Sequence, residues 1–406
     1  MAPARKVILF TAQEPSGDAH AAPVIARLRR DHPEVELVAW GGPKMEAAGA
    51  TMLGRTADDG VMGLAGVSKV LQVKALHDEI VAWSRRNPVA VHMPVDSPSA
   101  NFPLSARLKP MGARIVNLVA PQLWAWAPWR IRKVRRISDI LLCLLPFEED
   151  WFRSRGVVAK YVGHPVLSHA LDEMRIEREA AALPTGAPRI VLLPGSRSSE
   201  VRANGRLLAD AFAGVRTRLP GALAVVVASN EANARNFLLA IGGELPAGIS
   251  MFVAGQGGTI EGAIRWSDLA LAVSGTVSLD CTRQGKPMIG VYRTSRLEAL
   301  GAKLVIRARH LLLPNIIAGR RIVPEFVPFA GRAGQITDCA LAMLENPERL
   351  ARTSADLRVV AASFLGRDPA RIASEVAFRS ALGERLGNAE LDAIVESGTS
   401  SPDVSW

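Results

Sequence analysis

The sequence predicts an α/β protein with two doubly wound, Rossmann-like domains and a helical C-terminal segment. Its 406 residues are typical of two domains rather than one. Short apolar runs alternate with amphipathic helical stretches along almost the whole chain, a pattern that favours parallel sheets covered by helices. The alternation restarts after a polar stretch at 167–188, whose Pro and Gly residues indicate a linker. Two such domains predict a cleft between them, with ligands at the carboxyl ends of the strands.

The N-terminal domain is expected over residues 1–166. Its predicted strands are 6–12, 35–40, 89–95, 114–119, 139–145 and 157–162, and its clearest helices are 67–86 and 130–136. The loops that follow the strands are therefore the segments in which ligand-binding residues are expected.

The C-terminal domain is expected over residues 189–345. Its predicted strands are 189–193, 223–228, 249–253, 269–273 and 287–291. Residues 346–390 are predicted to be helical, with Pro347 and Pro369 each starting a helix, and to pack on the N-terminal domain or on a partner chain. Residues 391–406 are polar and Ser-rich, so we expect a disordered tail.

The charge balance and the apolar runs exclude some classes of protein. The chain carries 49 Lys and Arg against 39 Asp and Glu, a formal net charge of +10, which attracts nucleic acid, phosphate-bearing molecules or an anionic membrane. Its apolar runs fall far short of the roughly 20 residues that a membrane-spanning helix needs. We expect a cytoplasmic protein without a secretory signal. Three widely spaced cysteines and the lack of a His/Cys cluster predict reduced thiols and no metal site.

Two loops of the first half carry candidate carboxylates. The first strand leads into Gln13-Glu14-Pro15-Ser16-Gly17-Asp18, in which Glu14 or Asp18 is placed to hold a sugar. The alternative is a plain turn in which Ser16 or Asp18 caps the following helix. Asp96 follows the predicted strand 89–95. Partial burial at a strand end would raise the pKa of its carboxyl group towards that of a general base. The alternative is that Asp96 caps the next segment.

The segment 121–136 combines tryptophan with positive charge. Trp124, Trp126 and Trp129 lie within six residues and precede a basic helix that contains Arg130, Arg132 and Arg135. Indole rings beside arginines suit an anionic membrane surface. The same residue types can stack on and clamp single-stranded nucleic acid. A third interpretation places the tryptophans in the core and leaves the arginines as a solvated surface.

Two loops of the second half are suited to a diphosphate. Pro194-Gly195-Ser196-Arg197 follows a strand and combines a permissive glycine, a hydroxyl and a permanent cation. Ser274-Gly275-Thr276 follows another strand and opens a helix, and Asp280 lies one helical turn beyond, within reach of ribose hydroxyls. Neither loop alone is a fingerprint, but two in one domain favour binding of a nucleotide diphosphate.

The motifs together resemble the lipid-A-disaccharide synthase family, glycosyltransferases of the GT-B fold. The resemblance covers about residues 6–382. The matching motifs are Glu14-Pro15-Ser16-Gly17-Asp18, Gly42-Pro43-Lys44-Met45, Val61-Met62-Gly63, Asp96-Ser97-Pro98, Trp124-Ala125-Trp126, Leu145-Pro146-Phe147-Glu148, Gly163-His164-Pro165, Leu193-Pro194-Gly195-Ser196-Arg197, Ser274-Gly275-Thr276, Tyr292-Arg293 and Leu313-Pro314-Asn315.

The resemblance implies an inverting hexosyltransferase that needs no metal or other cofactor. It would transfer 2,3-diacylglucosamine from its UDP form to 2,3-diacylglucosamine 1-phosphate, at the inner face of the cytoplasmic membrane. Asp96, Arg197 and Asn315 would be catalytic, and Trp124, Trp126, Trp129, Arg130, Arg132 and Arg135 would face the membrane. Glu14, Ser16, Gly17, Asp18, Gly195, Ser196, Ser274, Gly275, Thr276, Asp280, Tyr292 and Arg293 would bind substrate. A homodimer is compatible with the resemblance, and nucleic acid is not an expected partner.

Three positions depart from the family pattern. Gln13 replaces a glycine, Gly66 replaces a glutamate and Ser99 replaces an aspartate, and all three fall in the half expected to bind the acceptor. A lost carboxylate beside a base changes the acceptor choice or the rate. The alternative hypothesis is therefore a divergent member that binds a UDP-sugar or a lipid surface with little transferase activity.

Overall fold

The alternating apolar runs form two parallel sheets, each in its own unit of the chain. The computed structural model describes residues 6–57, 67–168, 170–295, 298 and 306–397. One unit comprises Met1–Ser168 together with Gly366–Trp406, and the other comprises His169–Leu365. Two doubly wound units are thus confirmed.

The first unit contains a seven-stranded sheet. Its strands are β1 (Val7–Ala12), β2 (Glu36–Gly41), β3 (Thr51–Arg55), β4 (Val89–Val95), β5 (Arg114–Leu118), β6 (Ile140–Cys143) and β7 (Ala159–Tyr161). They lie in the order β3-β2-β1-β4-β5-β6-β7, and all neighbours are parallel. Every residue of β1 is buried, since helices cover both faces of a parallel sheet.

The helices of the first unit come from both ends of the chain. They are α1 (Pro15–Asp31), α2 (Pro43–Ala47), α3 (Val67–Arg86), α4 (Pro98–Leu108), α5 (Leu123–Trp126), α6 (Ile131–Ile137), α7 (Glu148–Arg153), α8 (Pro165–Ser168), and, after the second unit, α17 (Pro369–Ala381) and α18 (Asn388–Glu396). Ile372 and Val376 of α17 share a core cluster with Phe10 and Ile25. The last two helices therefore pack on the N-terminal sheet. The helix Pro347–Ala362, which was predicted to pack there or on a partner chain, belongs instead to the second unit, so this part of the prediction is wrong.

The predicted start of the disordered tail is wrong. Residues 391–396 continue α18, with Leu391 and Ile394 buried. Asp392 accepts hydrogen bonds from the Arg153 guanidinium at 2.8 and 3.1 Å, which anchors this helix to α7. The sequence looks polar here because only one face of the helix is apolar.

The second unit contains a six-stranded parallel sheet. Its strands are β8 (Arg189–Leu193), β9 (Leu223–Ala228), β10 (Ile249–Val253), β11 (Leu269–Val273), β12 (Met288–Arg293) and β13 (Glu325–Phe329), in the order β10-β9-β8-β11-β12-β13. Its helices are α9 (Glu173–Ala181), α10 (Ser198–Arg218), α11 (Glu231–Ile241), α12 (Ile260–Trp266), α13 (Val277–Arg283), α14 (Leu313–Ala318), α15 (Ala333–Leu344) and α16 (Pro347–Ala362).

Three further elements differ from the sequence-based prediction. The strands β3 and β13 were not predicted; both are edge strands, and Gly54 and Pro328 interrupt their apolar patterns. The polar stretch expected to be a linker carries α9, which packs on α12. There, Arg175 donates a hydrogen bond to Thr259 at 3.1 Å. Charged residues on this helix thus have partners within the second unit.

Within the described ranges, no helix has the length and apolar character required to cross a bilayer.

Candidate active site

Strand order brings the predicted loops together in pairs. In the first unit the order reverses between β1 and β4, so the loop at Gln13–Asp18 lies beside the loop that begins at Asp96. In the second unit it reverses between β8 and β11, so Pro194–Arg197 lies beside Ser274–Thr276. Such switch points are where open α/β sheets bind ligands.

The start of α1 lies directly over the ends of β1 and β4. Ser16 Oγ donates a hydrogen bond to Asp96 Oδ2 at 3.3 Å. A Cβ on Gly17 would lie 3.0 Å from Ala12 Cβ and 3.1 Å from the Val95 carbonyl oxygen, so glycine allows this close approach. The structure thus brings together the Ser16 and Asp96 side chains, which are separated by 80 residues.

Asp96 occupies a strained turn. Its φ is 51° and that of Ser97 is 43°, both in the left-handed region that non-glycine residues avoid at a cost of about 1–2 kcal/mol each. The Ser97 N–H donates to Asp96 Oδ1 at 2.7 Å. The half-buried carboxylate is therefore oriented by one donor on each oxygen. Strain of this kind concentrates at functional sites.

Two histidines of the first unit, His20 and His164, were not singled out as site residues. His20 lies one helical turn after Ser16; burial lowers its pKa, Asp96 opposes that shift, and Lys44 adds to it. The His20 ring meets His164 edge to face, with centroids 5.7 Å apart. Burial lowers the pKa of His164 to about 3, so this ring is neutral at pH 7. The i, i+4 spacing of Ser16 and His20 was the sequence signal for His20.

The predicted contact of Asp18 with substrate is wrong for this structure. Asp18 is 2% exposed, and its carboxylate accepts hydrogen bonds from the backbone N–H groups of Gly42, Lys44 and Met45 at 2.9–3.1 Å. It therefore caps α2 and holds the loop after β2. The alternative, that Ser16 or Asp18 caps α1, is also wrong, since α1 has Glu14 at its N-cap position and no side-chain cap.

Glu200 shapes the first loop of the second unit. Its Oε2 accepts from the N–H groups of Ser196 and Arg197, both at 3.2 Å, and its Oε1 accepts from Arg197 Nη1 at 2.9 Å. Gly195 has φ 112°, and a Cβ there would lie 2.7 Å from Glu200 Oε2. Asn233 donates to the Ser196 carbonyl at 2.8 Å. These contacts present Ser196 and Arg197 at the surface.

The second loop is open. Gly275 and Thr276 are exposed, and a Cβ on Gly275 would meet nothing within 4 Å. Helix α13 begins at Val277, and the N–H groups of Ser278 and Leu279 donate to the carbonyls of Gly275 and Thr276 at 3.1 and 2.8 Å. Asp280 on this helix has its pKa raised to about 7, by burial first and by Glu261 second, with Arg283 opposing.

Tyr292 and Arg293 end β12 and are exposed. Asn204 Oδ1 accepts from the Arg293 N–H at 2.8 Å, which ties this strand end to α10. Asn315, in contrast, is fully buried. Its Oδ1 accepts from the N–H groups of Ile322 and Val323, and its Nδ2 donates to the Val323 carbonyl. In this structure the Asn315 side chain therefore holds backbone, and its catalytic role stays a prediction.

The tryptophan segment has two parts. Trp124 Nε1 donates to Glu148 Oε1 at 3.0 Å, and burial raises the pKa of Glu148 to about 7. Trp126 is half-buried, with the Arg130 guanidinium 4.7 Å from its ring centroid. Trp129 is 59% exposed. Trp124 is also half-buried, and Trp126 packs against the core cluster that contains Leu123 and Ala127, so the core interpretation applies in part to both, while Arg130, Arg132 and Arg135 are exposed.

The three departures from the family pattern have different outcomes. Gln13 is half-buried, and its Nε2 is buried without a hydrogen-bond partner among the described atoms. Ser99 is exposed in the first turn of α4. Gly66 and the motif Val61-Met62-Gly63 lie outside the described residues. Within the described ranges, no group of three or more His, Cys, Asp and Glu could hold a metal ion.

Comparison with known families decides the assignment. The family model described as Lipid-A-disaccharide synthetase matches residues 8–366. This chain belongs to the lipid-A-disaccharide synthase family.

Individual family members are similar over most of their length. A lipid-A-disaccharide synthase of Myxococcus xanthus (strain DK1622) is 35% identical over 331 residues, which cover 79% of this chain and 83% of that protein. A second, from Anaeromyxobacter dehalogenans (strain 2CP-1 / ATCC BAA-258), is 35% identical over 91% of this chain and 96% of its own length.

Solved structures confirm the GT-B glycosyltransferase fold. UDP-GlcNAc 2-epimerase of Neisseria meningitidis, bound to UDP-GlcNAc, superimposes with a TM-score of 0.61 at 12% identity, over 94% of this chain and all of the other. MurG of Acinetobacter baumannii superimposes with a TM-score of 0.55 at 10% identity, over 92% of this chain and 98% of the other. At such low identity these similarities concern the fold alone.

Proposed function

We propose that this chain transfers 2,3-diacylglucosamine from its UDP form to the 6-hydroxyl of 2,3-diacylglucosamine 1-phosphate. The products are a β-1,6-linked disaccharide 1-phosphate and UDP. Membership of the lipid-A-disaccharide synthase family supports the reaction. The structural observation that supports this reaction is the carboxylate of Asp96, which is oriented by two hydrogen-bond donors at the β1/β4 switch point.

In the proposed mechanism Asp96 accepts the proton of the acceptor 6-hydroxyl. The oxygen attacks the anomeric carbon of the donor sugar, the new C–O bond forms on the face opposite UDP, and the bond to the diphosphate oxygen breaks. Inversion follows from this single displacement. The left-handed turn at Asp96 supports the role, because it holds the carboxylate in one orientation.

The proposal assigns the departing UDP to the second unit. Arg197 carries a permanent charge at the surface of the loop that Glu200 shapes. Together with Ser274–Thr276 and the start of α13, it would stabilise negative charge as it develops on the diphosphate. Asp280 lies on the same helix. Its ionised carboxylate would accept a hydrogen bond from a ribose hydroxyl, and its protonated form would donate a hydrogen bond to one.

The decisive experiment compares the unmodified chain with Asp96→Asn. We expect UDP release with both acylated substrates from the unmodified chain, and a kcat lowered about 100- to 10,000-fold in the variant, because the base is lost. UDP affinity, measured by calorimetry, should stay within about twofold, since Arg197 and its loop are untouched.

Asp210→Asn is the matched control, because Asp210 is an exposed carboxylate of α10 paired with Arg206. An unchanged rate in Asp96→Asn would remove Asp96 from the mechanism. UDP binding without any transfer by the unmodified chain would support the alternative of a divergent binding protein, which the family comparison does not favour.

A surface around Trp129 supports a further part of the proposal, contact with the inner face of the cytoplasmic membrane. Trp129 is largely exposed, and Arg130, Arg132 and Arg135 are exposed beside it. Co-sedimentation with vesicles that contain phosphatidylglycerol tests it: binding should weaken in Trp129→Ala and with added salt. Equal binding to neutral and anionic vesicles would contradict this part. The homodimer stays a prediction, and analytical ultracentrifugation would measure the oligomeric state.

A further inference from the structure

We propose that Thr11, His92 and Asn101 form a buried chain of hydrogen bonds that positions Asp96 for catalysis. None of the three was predicted from the sequence to be a site residue. The inference rests on the proposed role of Asp96 as the base. We call these three residues the positioning chain.

Asn101 holds the backbone on which Asp96 sits. Its Nδ2 donates to the carbonyl oxygen of Val95 at 3.2 Å and to that of Asp96 at 2.8 Å. One amide thus contacts the last carbonyl of β4 and the first carbonyl of the left-handed turn. The Asn101 side chain cannot be reversed, because its oxygen would then meet two carbonyl oxygens.

Thr11 holds Asn101 in turn. Its Oγ1 lies 2.8 Å from Asn101 Oδ1, which accepts the single hydroxyl proton. Thr11 lies on β1 and Asn101 on α4, the helix that follows β4, so this bond joins β1 to the helix after the neighbouring strand. The position of Asp96 therefore depends on a residue of the neighbouring strand.

His92 completes the chain. Its Nε2 lies 2.9 Å from Thr11 Oγ1, whose proton is already donated, so Nε2 must carry a proton and donate it. His92 Nδ1 is then the unprotonated nitrogen of a neutral ring; it lies 3.3 Å from Ser105 Oγ, whose hydroxyl also donates to the Asn101 carbonyl at 3.1 Å. Burial lowers the pKa of His92 to about 3, which agrees with this neutral form. Every donor in the chain points in one direction, from His92 towards Asp96.

The positioning chain acts without touching substrate. Thr11 and His92 are fully buried and Asn101 is 1% exposed. The turn at Asp96 and Ser97 adopts a conformation that neither residue favours, so the surrounding contacts must maintain it. If Asn101 loses its orientation, two buried carbonyls lose their donor and the turn can relax. The carboxylate would then leave the position in which it accepts the proton.

Thr11→Val and Thr11→Ser form the test pair. Valine keeps the shape of threonine but removes the hydroxyl, whereas serine keeps the hydroxyl and removes a methyl group. We expect Thr11→Val to lower kcat by about 10- to 100-fold with KM for the UDP donor unchanged, because misplacing a catalytic group acts on the chemical step. Thr11→Ser should retain kcat within about threefold, since the hydroxyl that holds Asn101 remains.

Hydrogen–deuterium exchange of the peptide that spans residues 95–101 gives a readout independent of activity. Uptake should be faster in Thr11→Val and unchanged in Thr11→Ser. Thr337→Val is the control, because Thr337 is a buried residue of α15 whose hydroxyl donates to the Ala211 carbonyl at 3.0 Å. It loses a buried hydroxyl in the second unit and should change neither kcat nor exchange at 95–101.

The proposal is overturned if Thr11→Val keeps normal kcat and normal exchange, or if Thr11→Ser is impaired as strongly as Thr11→Val. Loss of kcat without faster exchange also overturns it. If the unmodified chain makes no disaccharide, the proposed function fails by itself. The exchange comparison still decides whether the positioning chain holds the Asp96 turn.

Discussion

The two switch points of this molecule are built in opposite ways. In the first unit, a strained turn of non-glycine residues carries Asp96, and buried side chains support it from behind. In the second unit, Gly195 supplies the positive φ, and the side chains offered to a ligand are exposed. One site maintains an orientation, whereas the other presents charge and donors.

The difference follows from what each site is proposed to do. Proton transfer and attack depend on the direction of a single carboxylate, so a rigid and buried support is required. A diphosphate carries charge spread over several oxygens and is bound by a cation and backbone N–H groups from several directions. Exposed residues on a shaped loop are sufficient for that purpose.

Replacement of Arg197 is the strongest test of the second site. We expect Arg197→Ala to weaken UDP binding about 10- to 100-fold, which corresponds to the roughly 1.5–3 kcal/mol of a hydrogen bond to a charged group. The UDP affinity of Arg197→Lys should lie between those of the unmodified chain and Arg197→Ala, because lysine keeps the charge but not the planar guanidinium. Calorimetric titration with UDP measures both.

Arg202→Ala is the control for this change, since Arg202 is exposed on α10 and contacts Asn236. Unchanged UDP affinity in Arg197→Ala would show that the loop does not bind the diphosphate. The proposed difference between the two switch points would then be wrong for the second unit.

Two glycines test the difference in packing. A Cβ on Gly42 would lie 2.7 Å from the buried Asp18 carboxylate, whereas a Cβ on Gly275 would meet no atom within 4 Å. Gly42→Ala should therefore lower the free energy of unfolding by about 1–3 kcal/mol, because the carboxylate must move from its three donors. Gly275→Ala should leave the urea midpoint unchanged, and equal effects of the two would refute the contrast.

Asp280 predicts a pH-dependent effect on stability. Its pKa is raised from 3.8 to about 7 in the folded chain, so the folded state binds more protons than the unfolded state between these values. The contribution of Asp280 to the free energy of unfolding is therefore fully present below pH 4 and is lost as the pH rises through 7. Relative to Asp280→Asn, the unmodified chain should lose up to roughly 4 kcal/mol between pH 4 and pH 8.

Urea unfolding of both proteins at the two pH values measures this loss. The buried Glu148, whose pKa is also raised to about 7, is present in both proteins and cancels in the difference. A difference that stays constant with pH would show that folding does not raise the pKa of Asp280.

The elements of this fold were largely predictable from local pattern. Strands β4, β8, β9, β10 and β11 have the predicted bounds, as does helix α3, and Pro347 and Pro369 start helices as expected. Prediction failed where the pattern is weak, at the edge strands β3 and β13, and where a polar helix packs by one face, as in α9 and α18.

The candidate site was predictable in its loops but not in all of its roles. Polar residues at strand ends identified Asp96 and Arg197 as candidates. Asp18 and Asn315 stand in equally polar motifs, yet both use their side chains to hold backbone. A motif shows which residue types occur, and the acceptors and donors around each side chain decide what remains for a ligand.

The sequence by itself determined the α/β class, the two units and the loops that bear polar groups, because periodicity and turn residues are local properties. Strand order was decided only in the tertiary structure, since it depends on contacts between residues far apart in the chain. That order places Ser16 beside Asp96 and Thr11 beside Asn101, separated by 80 and 90 residues. The orientation of the proposed base is therefore a property of the assembled sheet, because its hydrogen bonds come from two neighbouring strands and the helices that follow them.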